Sequence, residues 1–457
     1  MTEVDSGFLQ RCCSPAHGFD VVIVVASSAE AASFWRQRLA HVRNQVLGPH
    51  AELVVTEEVW AGGAGNGLGT LHGLEQAEVE MNRRGCSLWQ ALRDGKSVGM
   101  WHTAGKGKRL YPLPIHHRGD KSRTVVPGAL TVGGTVMPMR LLEAVLRQTS
   151  AFAEPGRIGV FWGDQLTLPT VPMKRPTAAV ALIGRLGPVP DAAAWKHHGL
   201  VNYGLLAVRA DGSAMQLEKL EWSAFDALRP ELGPLTAAAT SLGSFSMTAE
   251  VGRCLMTLFE PELRARTSKL DTDPGWWMPL TLPEPAARRL CGAEAVSRLR
   301  DAFDGPLRLE VLNVGETARW WDFGTLESWH ASCRAVLASP ELRQLLNTPE
   351  PVGGSVFVGS SPADGAKRSV IVGSTVNHLD VTDAVVVDCD VDHLQGSGVA
   401  YGLSGGQHTL TGGVLATDGQ GGTVIAPVNS DGKSRWSSAL AGNAKSWSEY
   451  AEDYSLK

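Results

Sequence analysis

The sequence has little cysteine, and its cysteines are not arranged as structural pairs. Seven are present in 457 residues, from the adjacent Cys12 and Cys13 to Cys389. Their odd number and scatter exclude a disulfide framework, and no two are spaced as Cys-x-x-Cys, which excludes the common paired-cysteine metal sites. A reducing compartment fits this usage, and we expect a cytoplasmic protein.

The sequence also lacks a strong charge of one sign and a long apolar run. Forty-two basic and 47 acidic residues give a formal charge of −5, which offers no electrostatic footprint for nucleic acid. The first residues are acidic and no long apolar stretch follows them, so we expect neither a signal peptide nor a membrane span. We therefore expect no nucleic-acid partner and no membrane partner, while a homo-oligomer is compatible with the sequence.

What the sequence does contain is an alternation of strand-length apolar runs and helical stretches. Residues 19–26 form a continuous apolar run, residues 29–47 carry apolar positions at helical spacing, and residues 51–56 form a second short run. Uninterrupted apolar runs are typical of strands covered on both faces in parallel sheets. The opening therefore predicts an α/β fold, and the length predicts two or three modules.

A glycine-broken basic loop follows a third strand-like run at 97–101. Its glycines let backbone N–H groups approach an anion, and its three cations supply charge at that point. The residues concerned are Gly105, Gly107, Lys106, Lys108 and Arg109. We interpret the loop as a phosphate site whose cationic character continues to Lys121; the alternative is a solvated basic turn.

A second glycine-rich segment, residues 61–70, has five glycines in ten residues and leads into a helical stretch. We interpret Gly63, Gly65 and Asn66 as part of a bare backbone surface for a nucleotide; the alternative is a flexible turn. The segment lacks a Gly-Lys-Ser/Thr ending, which disfavours a Walker loop.

Acidic residues stand at the ends of two later predicted strands. Asp164 follows the run 157–162, and Asp322 precedes the glycine turn at Gly324. The carboxyl ends of strands face the ligand crevice in open α/β sheets, so both acids are candidate ligands of a divalent ion, although a strand-end Asp is often a helix cap. Adjacent Glu218 and Lys219 should point to opposite faces of a strand unless a bulge turns both inward.

The pattern changes twice more along the chain. Residues from about 223 to 304 read mainly as helices, which predicts an insertion. Beyond 349, the short valine-rich pieces 355–360, 369–374 and 384–389 recur with Gly, Ser or Asp between them, which predicts a parallel β-solenoid; an antiparallel sandwich is the alternative. We expect one domain at 1–348 and a second, with a terminal tail, at 349–457.

Taken in order, these segments resemble the sugar-1-phosphate nucleotidylyltransferases, and among them the L-fucose-1-phosphate guanylyltransferase type. The segments that carry the resemblance are 20–28, 63–71, 102–110, 163–165, 202–204, 218–219 and 321–325. The resemblance implies a Rossmann-like nucleotidyltransferase domain with a mixed, mostly parallel sheet, followed by a left-handed β-helix. It also implies transfer from an NTP, with GTP favoured, to a sugar 1-phosphate with release of pyrophosphate.

The resemblance, together with the chemistry of nucleotidyl transfer, implies a role for each candidate. Asp164 and Asp322 would hold Mg²⁺. The β and γ phosphates would be bound by Lys106, Lys108 and Arg109 in the loop that contains Gly105 and Gly107, and the α-phosphate by Lys121. The acceptor phosphate would be bound by Lys219, and the acceptor hydroxyls by Asn202 and Glu218. The base would lie against Gly63, Gly65 and Asn66.

Departures from the family pattern leave the acceptor and the activity open. Residues 66–68 and 111–114 differ from what fucose-type enzymes tend to have, and some relatives act on cyclitol phosphates such as valienol 1-phosphate. Two alternatives of other classes remain. One is an inactive nucleotide-sugar-binding protein of the same fold; the other is an acyltransferase with a base on the solenoid, for which the candidates are His378, His393 and His408.

Overall fold

The structure is a computed structural model that describes residues 4–14, 18–60, 62–105, 107–417, 422–426 and 428. Within these ranges no helix is long and apolar enough to cross a membrane. Lys106 and the tail after Ser430 lie outside the described residues, as does the side chain of Lys108. Each of the seven cysteines is unpaired.

The first half of the chain builds the parallel side of a nine-stranded sheet. Its elements are, in order, α1 (Ser6–Cys12), β1 (Val21–Ala26), α2 (Ala29–His41), α3 (Arg43–Val46), β2 (Glu52–Glu57), α4 (Gly65–Arg83), α5 (Leu88–Arg93), β3 (Val98–His102), β4 (Val125–Val132), β5 (Thr135–Arg140), α6 (Leu141–Thr149), β6 (Arg157–Trp162) and β7 (Gln165–Leu168). β1 lies between β2 and β3, and β3 pairs with β6, all in parallel. Every residue of β1 is buried, as its apolar run predicts. The sequence predicts a helix that begins near Pro138, but Pro138 lies in β5 and the helix α6 begins at Leu141.

The second half completes the sheet with mostly antiparallel pairs. Its elements are β8 (Val180–Gly187), α7 (Ala192–His197), β9 (Gly204–Arg209), β10 (Ala214–Glu218), α8 (Trp222–Leu232), β11 (Leu235–Thr248), α9 (Ala249–Leu258), α10 (Glu260–Ala265), a π-helix (Asp273–Trp277), α11 (Met278–Thr281), α12 (Glu284–Cys291), α13 (Ala293–Ala302), β12 (Leu309–Asn313), β13 (Arg319–Asp322), α14 (Leu326–Ala335) and α15 (Pro340–Leu346). The strand order is β2-β1-β3-β6-β11-β8-β12-β10-β9. The fold is therefore α/β with a mixed sheet, but the expectation that it is mostly parallel is correct only from β2 to β6 and for the pair β8 and β12.

The stretch 223–304, expected to be a mainly helical insertion, contains the 14-residue strand β11 in the middle of the sheet. β11 pairs antiparallel with both β6 and β8. Its sequence is rich in Ala, Ser and Thr and has no Val or Ile, so it lacks the β-branched aliphatic pattern that identifies a buried strand.

The C-terminal part forms a second, curled sheet of short strands. Its strands are β14 (Val356–Val358), β15 (Ala366–Lys367), β16 (Val370–Val372), β17 (Thr375–Thr382), β18 (Val385–Val387), β19 (Asp390–Tyr401), β20 (Gln407–Thr417) and β21 (Thr423–Ala426). β14 pairs with β16, β16 with β18 and β18 with β19, all in parallel. These parallel pairings contradict the antiparallel sandwich.

One hydrophobic cluster runs through both parts of the chain. Val370 and Val385 of the second sheet lie in the same buried cluster as Leu142 of α6 and Trp329 of α14. Tyr401, at the end of β19, is fully buried beside Trp329, with ring centroids 5.9 Å apart. The two parts therefore share a core.

Candidate active site

The basic loop and the first candidate acid leave the same edge of the main sheet. β3 and β6 run parallel, with His102 opposite Trp162 at their last residues. The loop 103–124 follows β3, and Asp164 comes two residues after β6. The carboxyl ends of neighbouring parallel strands meet at one edge, where α/β folds bind ligands.

Asp164 and Lys121 form a buried ion pair at this edge. The Lys121 Nζ donates to the Asp164 Oδ2 at 2.8 Å, and little of either side chain is exposed. Burial raises the pKa of Asp164, but the Lys121 ammonium and the Arg109 guanidinium outweigh it, so the net pKa lies below its usual value. Asp164 is therefore held as a carboxylate.

The second candidate acid, Asp322, is brought beside Asp164 by strand pairing. β13 pairs antiparallel with β7, which places Asp322 opposite Gln165, and the Phe323 N–H donates to the Asp164 carbonyl oxygen at 2.9 Å. Burial raises the pKa of Asp322, and the negative charge of Asp164 raises it further. The structure thus brings the two predicted metal ligands together.

Gly324 is the point where these charged groups converge. A Cβ built on it would lie 2.9 Å from the Asp322 Oδ1, 3.2 Å from the Asp164 Oδ2 and 3.4 Å from the Nη2 of Arg109. The Gly324 N–H donates to the Asp322 Oδ1 at 2.7 Å, which orients that carboxylate. The resemblance includes Gly324 in the segment 321–325 but implies no role for it.

The donor set fits a hard divalent cation that also binds substrate. Mg²⁺ is commonly held by one or two carboxylates while phosphates and water complete its coordination. Asp164 and Asp322 supply two such carboxylates, and across the described residues no three His, Cys, Asp or Glu side chains form a complete metal cage. When bound, the ion would offset negative charge on phosphate oxygens.

The glycines of the basic loop lie against the side chain of Lys121. A Cβ on Gly105 would lie 3.3 Å from the Lys121 Nζ, and one on Gly107 would lie 2.6 Å from the Lys121 Cβ. Gly107 also has a φ of +60°. The two glycines therefore let Lys121 cross the loop on its way to Asp164, a role in addition to the predicted approach of backbone to phosphate.

The second glycine-rich segment is not the bare surface that the sequence predicts. α4 begins inside it at Gly65, and the segment 270–272 covers this helix start. The Asn66 N–H donates to the Asp271 Oδ1 at 3.0 Å, and the Asn66 Oδ1 accepts from the Thr272 N–H at 2.6 Å. A Cβ on Gly65 would lie 2.5 Å from the Leu270 carbonyl oxygen. The glycines allow this close approach because they have no Cβ. The approach supplies acceptors for N–H groups that a helix start leaves without partners.

Contact between this segment and a nucleotide base stays a prediction. Gly63 has a φ of +87°, and within the described residues a Cβ built on it would have only the Glu58 Oε1 within 4 Å, at 3.8 Å. Gly63 thus has open space on this side, whereas residues 270–272 lie against Gly65 and Asn66.

Two of the predicted acceptor-binding residues, Glu218 and Lys219, form an ion pair at the end of β10. Lys219 has a φ of +48°, and this turn lets its ammonium contact the neighbouring Glu218 carboxylate, so the two do not point to opposite faces. The Glu218 carboxylate lies over Gly204, where a Cβ would be 3.0 Å from its Oε2.

The apolar stretch 199–208 predicts a strand over its whole length, but Asn202 lies in a 3-10 turn (Leu200–Asn202) before it. That strand, β9, begins at Gly204. The Asn202 side-chain amide is exposed and donates to the Gly199 carbonyl oxygen at 3.3 Å. That Asn202 binds acceptor hydroxyls stays a prediction.

Asp273 belongs to the same charged group and was missed by the sequence reasoning. Burial raises its pKa to about 7, with help from the charge of Glu218, while Lys219 acts in the opposite direction. Its Oδ1 is buried and has no hydrogen-bond partner in the part of the chain described here. Its only sequence signal is its position before Pro274 and Gly275 in a break between helices.

The histidines of the acyltransferase alternative lie on the second sheet. His378 on β17 pairs in register with His393 on β19, with ring centroids 6.2 Å apart. The His408 Nε2 lies 2.8 Å from the Gly405 carbonyl oxygen. No acidic partner orients these rings within the described residues, so nothing in their geometry favours catalysis.

No protein-family model matches this sequence, and a comparison with curated proteins also gave no match. Any assignment of function therefore rests on the residues, on their geometry and on the resemblance of the sequence segments.

Proposed function

We propose that this protein is a nucleotidylyltransferase that joins an NTP, with GTP favoured, to a sugar 1-phosphate or a cyclitol 1-phosphate and releases pyrophosphate. The observation that carries the proposal is the convergence of Asp164, Asp322 and Arg109 around Gly324, with Lys121 bound to Asp164. Two carboxylates and two cations at one strand edge suit a reaction between two phosphates.

In this reaction an oxygen of the acceptor phosphate attacks the α-phosphorus of the NTP, a new P–O bond forms, and the bond to the β-phosphate breaks. Positioning and charge compensation can supply the catalysis without a covalent intermediate. Arg109, with Lys106 and Lys108, would hold the departing pyrophosphate, and Lys121 would reach the α-phosphate. Lys219, Glu218 and Asn202 would bind the acceptor.

Two finer points belong to the same proposal. The parallel pairings of the second sheet recur at intervals of 14 or 15 residues, which supports a β-helix, and the left hand is what the family resemblance implies. The scattered, unpaired cysteines support a cytoplasmic location.

The proposal is tested by detecting pyrophosphate after incubating the protein with each NTP, Mg²⁺ and a panel of sugar and cyclitol 1-phosphates. Asp164→Asn should lower the rate by on the order of 10²–10³, because one preorganised charge contact is lost at the reacting phosphates. Asp226→Asn is the control, since Asp226 is an exposed partner of Arg229 on α8. Equal rates for wild type and Asp164→Asn would refute the site assignment.

A further inference from the structure

A cavity of about 350 Å³ lies next to the candidate active site, outside the residues that the sequence assigned. It lies at the low end of the range of about 300–1,000 Å³ that is usual for small-molecule sites, so it suits a single ring better than a whole nucleotide. Its lining combines aromatic, charged and small residues, among them Arg185, Asp191, Ala194, Tyr203, Thr240 and Trp320.

Secondary structure explains why these residues face one space. Asp191, Ala194 and His198 are spaced by three and four residues along α7 and its ends, so they share one face of that helix. Thr240 of β11 and Leu205 of β9 are paired in register and both line the cavity. The main sheet thus forms the floor of the cavity and α7 forms a wall.

The cavity reaches the metal-ligand strand through Trp320. Trp320 and Asp322 are two residues apart on β13, so their side chains share a face of the strand about 7 Å apart. On the other side, the Trp320 and Tyr203 rings lie 6.0 Å apart, and the Lys219 N–H donates to the Tyr203 carbonyl oxygen at 3.3 Å. Two lining residues are therefore linked to the proposed site: Trp320 shares its strand with Asp322, and Tyr203 is hydrogen-bonded to the backbone of Lys219.

We infer that this cavity binds the ring of the acceptor, and that the acceptor is a monocyclic polyol phosphate. A sugar or cyclitol ring has an apolar C–H face for Trp320 and Tyr203, and hydroxyl groups for Arg185, Asp191 and Thr240. Arg185 is fixed in the wall because its Nε and Nη2 donate to the Glu316 carbonyl oxygen at 3.0 and 2.7 Å. The roughly 7 Å from Trp320 to Asp322 then places the phosphate of a ring-bound acceptor at the carboxylates.

The inference rests on the proposed function for its choice of ligand, and its first test fills the cavity. Ala194→Phe adds a ring on the cavity face of α7, whereas Ala192→Phe adds the same ring two residues away, on the opposite, exposed face. Binding of L-fucose 1-phosphate, inositol 1-phosphate and the acyclic glycerol 3-phosphate is measured by calorimetry with Mg²⁺ present. Pyrophosphate release with GTP is measured in parallel.

We expect Ala194→Phe to weaken binding of a ring phosphate at least tenfold and to raise its KM equally, with the KM for GTP unchanged, while Ala192→Phe resembles wild type. Ring binding that Ala194→Phe leaves intact would overturn the inference, as would tighter binding of glycerol 3-phosphate than of either ring. A third outcome separates the two proposals. If wild type binds a ring phosphate but releases no pyrophosphate, and Ala194→Phe abolishes the binding, the cavity assignment is supported and the proposed activity is refuted. Absence of binding by all three phosphates would refute both.

A second pair of variants tests the aromatic wall without filling the space. Trp320→Leu removes the ring on the cavity face of β13, and Trp321→Leu removes its neighbour, which packs on the other face against the main core. Trp320→Leu should weaken ring binding about tenfold while Trp321→Leu lowers stability without changing ring affinity. The reverse pattern would contradict the inference.

Discussion

At the level of single residues, Gly324 lies where two carboxylates and a guanidinium meet. Its φ is not in the left-handed region, so the backbone tolerates alanine, but the added Cβ would lie 2.9 Å from the Asp322 Oδ1. A contact that short forces the carboxylate to move. The importance of this glycine thus lies in the space it leaves for its neighbours.

We predict that Gly324→Ala raises the Mg²⁺ concentration needed for half-maximal activity by about tenfold or more, because the paired carboxylates are pushed apart. The protein should remain folded, which thermal unfolding checks. Gly7→Ala in α1 is a suitable control, because a Cβ there would meet only the Asp5 side chain at 3.3 Å and the Arg11 side chain at 3.9 Å. An unchanged Mg²⁺ dependence in Gly324→Ala would contradict the assignment.

Asp273 allows a prediction about pH. Its pKa is about 7 in the folded protein and is expected near 3.8 in the unfolded chain, so the folded protein binds this proton more tightly. Its contribution to stability is complete below pH 3.8 and is lost as the pH rises towards 7. Glu218, Asp271 and Lys219 act on the same carboxyl, the two acids raising its pKa and the lysine lowering it.

The free energy of unfolding of Asp273→Asn, relative to that of wild type, should therefore rise by on the order of 2 kcal/mol when the pH is raised from 5 to 8. Urea unfolding of both proteins at the two pH values measures this difference. Parallel pH profiles for the two proteins would show that Asp273 does not titrate in this range.

At the level of elements, the second sheet shows how short strands are joined. The corner positions Gly359, Gly373, Asp388 and Gly402 all have a positive φ, which favours glycine and tolerates Asp. Buried serines then bond one turn of the chain to the next: the Ser369 Oγ accepts from the Ala384 N–H at 3.0 Å and donates to the Lys367 carbonyl oxygen at 2.8 Å. These residues were visible in the sequence as recurring Gly, Ser and Asp.

We predict that Ser369→Ala lowers the free energy of unfolding by about 1–3 kcal/mol, because it leaves the buried Ala384 N–H without its partner. Ser397→Ala, at an exposed position of β19, should change it by less than about 0.5 kcal/mol. Urea midpoints of the two variants check the difference. Equal effects would show that the serine bond is not a structural requirement.

At the level of the whole molecule, Tyr401 ties the second sheet to the segment that carries Lys121. Its hydroxyl accepts from the Val125 N–H at 3.0 Å and lies 2.5 Å from the His117 Nε2. Burial lowers the pKa of His117 well below its usual value, and the nearby Arg140 lowers it further, so His117 is neutral and can share a hydrogen bond with the tyrosine. The contact joins residues that flank Lys121 to the end of β19.

Tyr401→Phe should cost about 1–3 kcal/mol in the free energy of unfolding, because the Val125 N–H loses a buried acceptor. A double-mutant cycle with His117→Gln should give a coupling energy above about 0.5 kcal/mol, since the two side chains touch. Additive effects of the two substitutions would show that the tyrosine acts on Val125 alone.

The sequence alone determined the features that depend on local pattern. The apolar run of β1, the recurring corners of the second sheet and the glycine-broken basic loop are each contained in a few consecutive residues, so their periodicity and turn chemistry are readable without a fold. The weakly patterned strand β11 was missed for the same reason, because its small and polar residues carry no aliphatic signature.

Only the tertiary structure decided which distant residues meet. The pairing of β7 with β13 brings Asp322 beside Asp164, and the segment 270–272 covers the start of α4 that the sequence left bare. The cavity at Trp320 is likewise bounded by four strands and one helix. Such contacts depend on sheet order and on how loops cross its edge, which the packing of the whole chain sets.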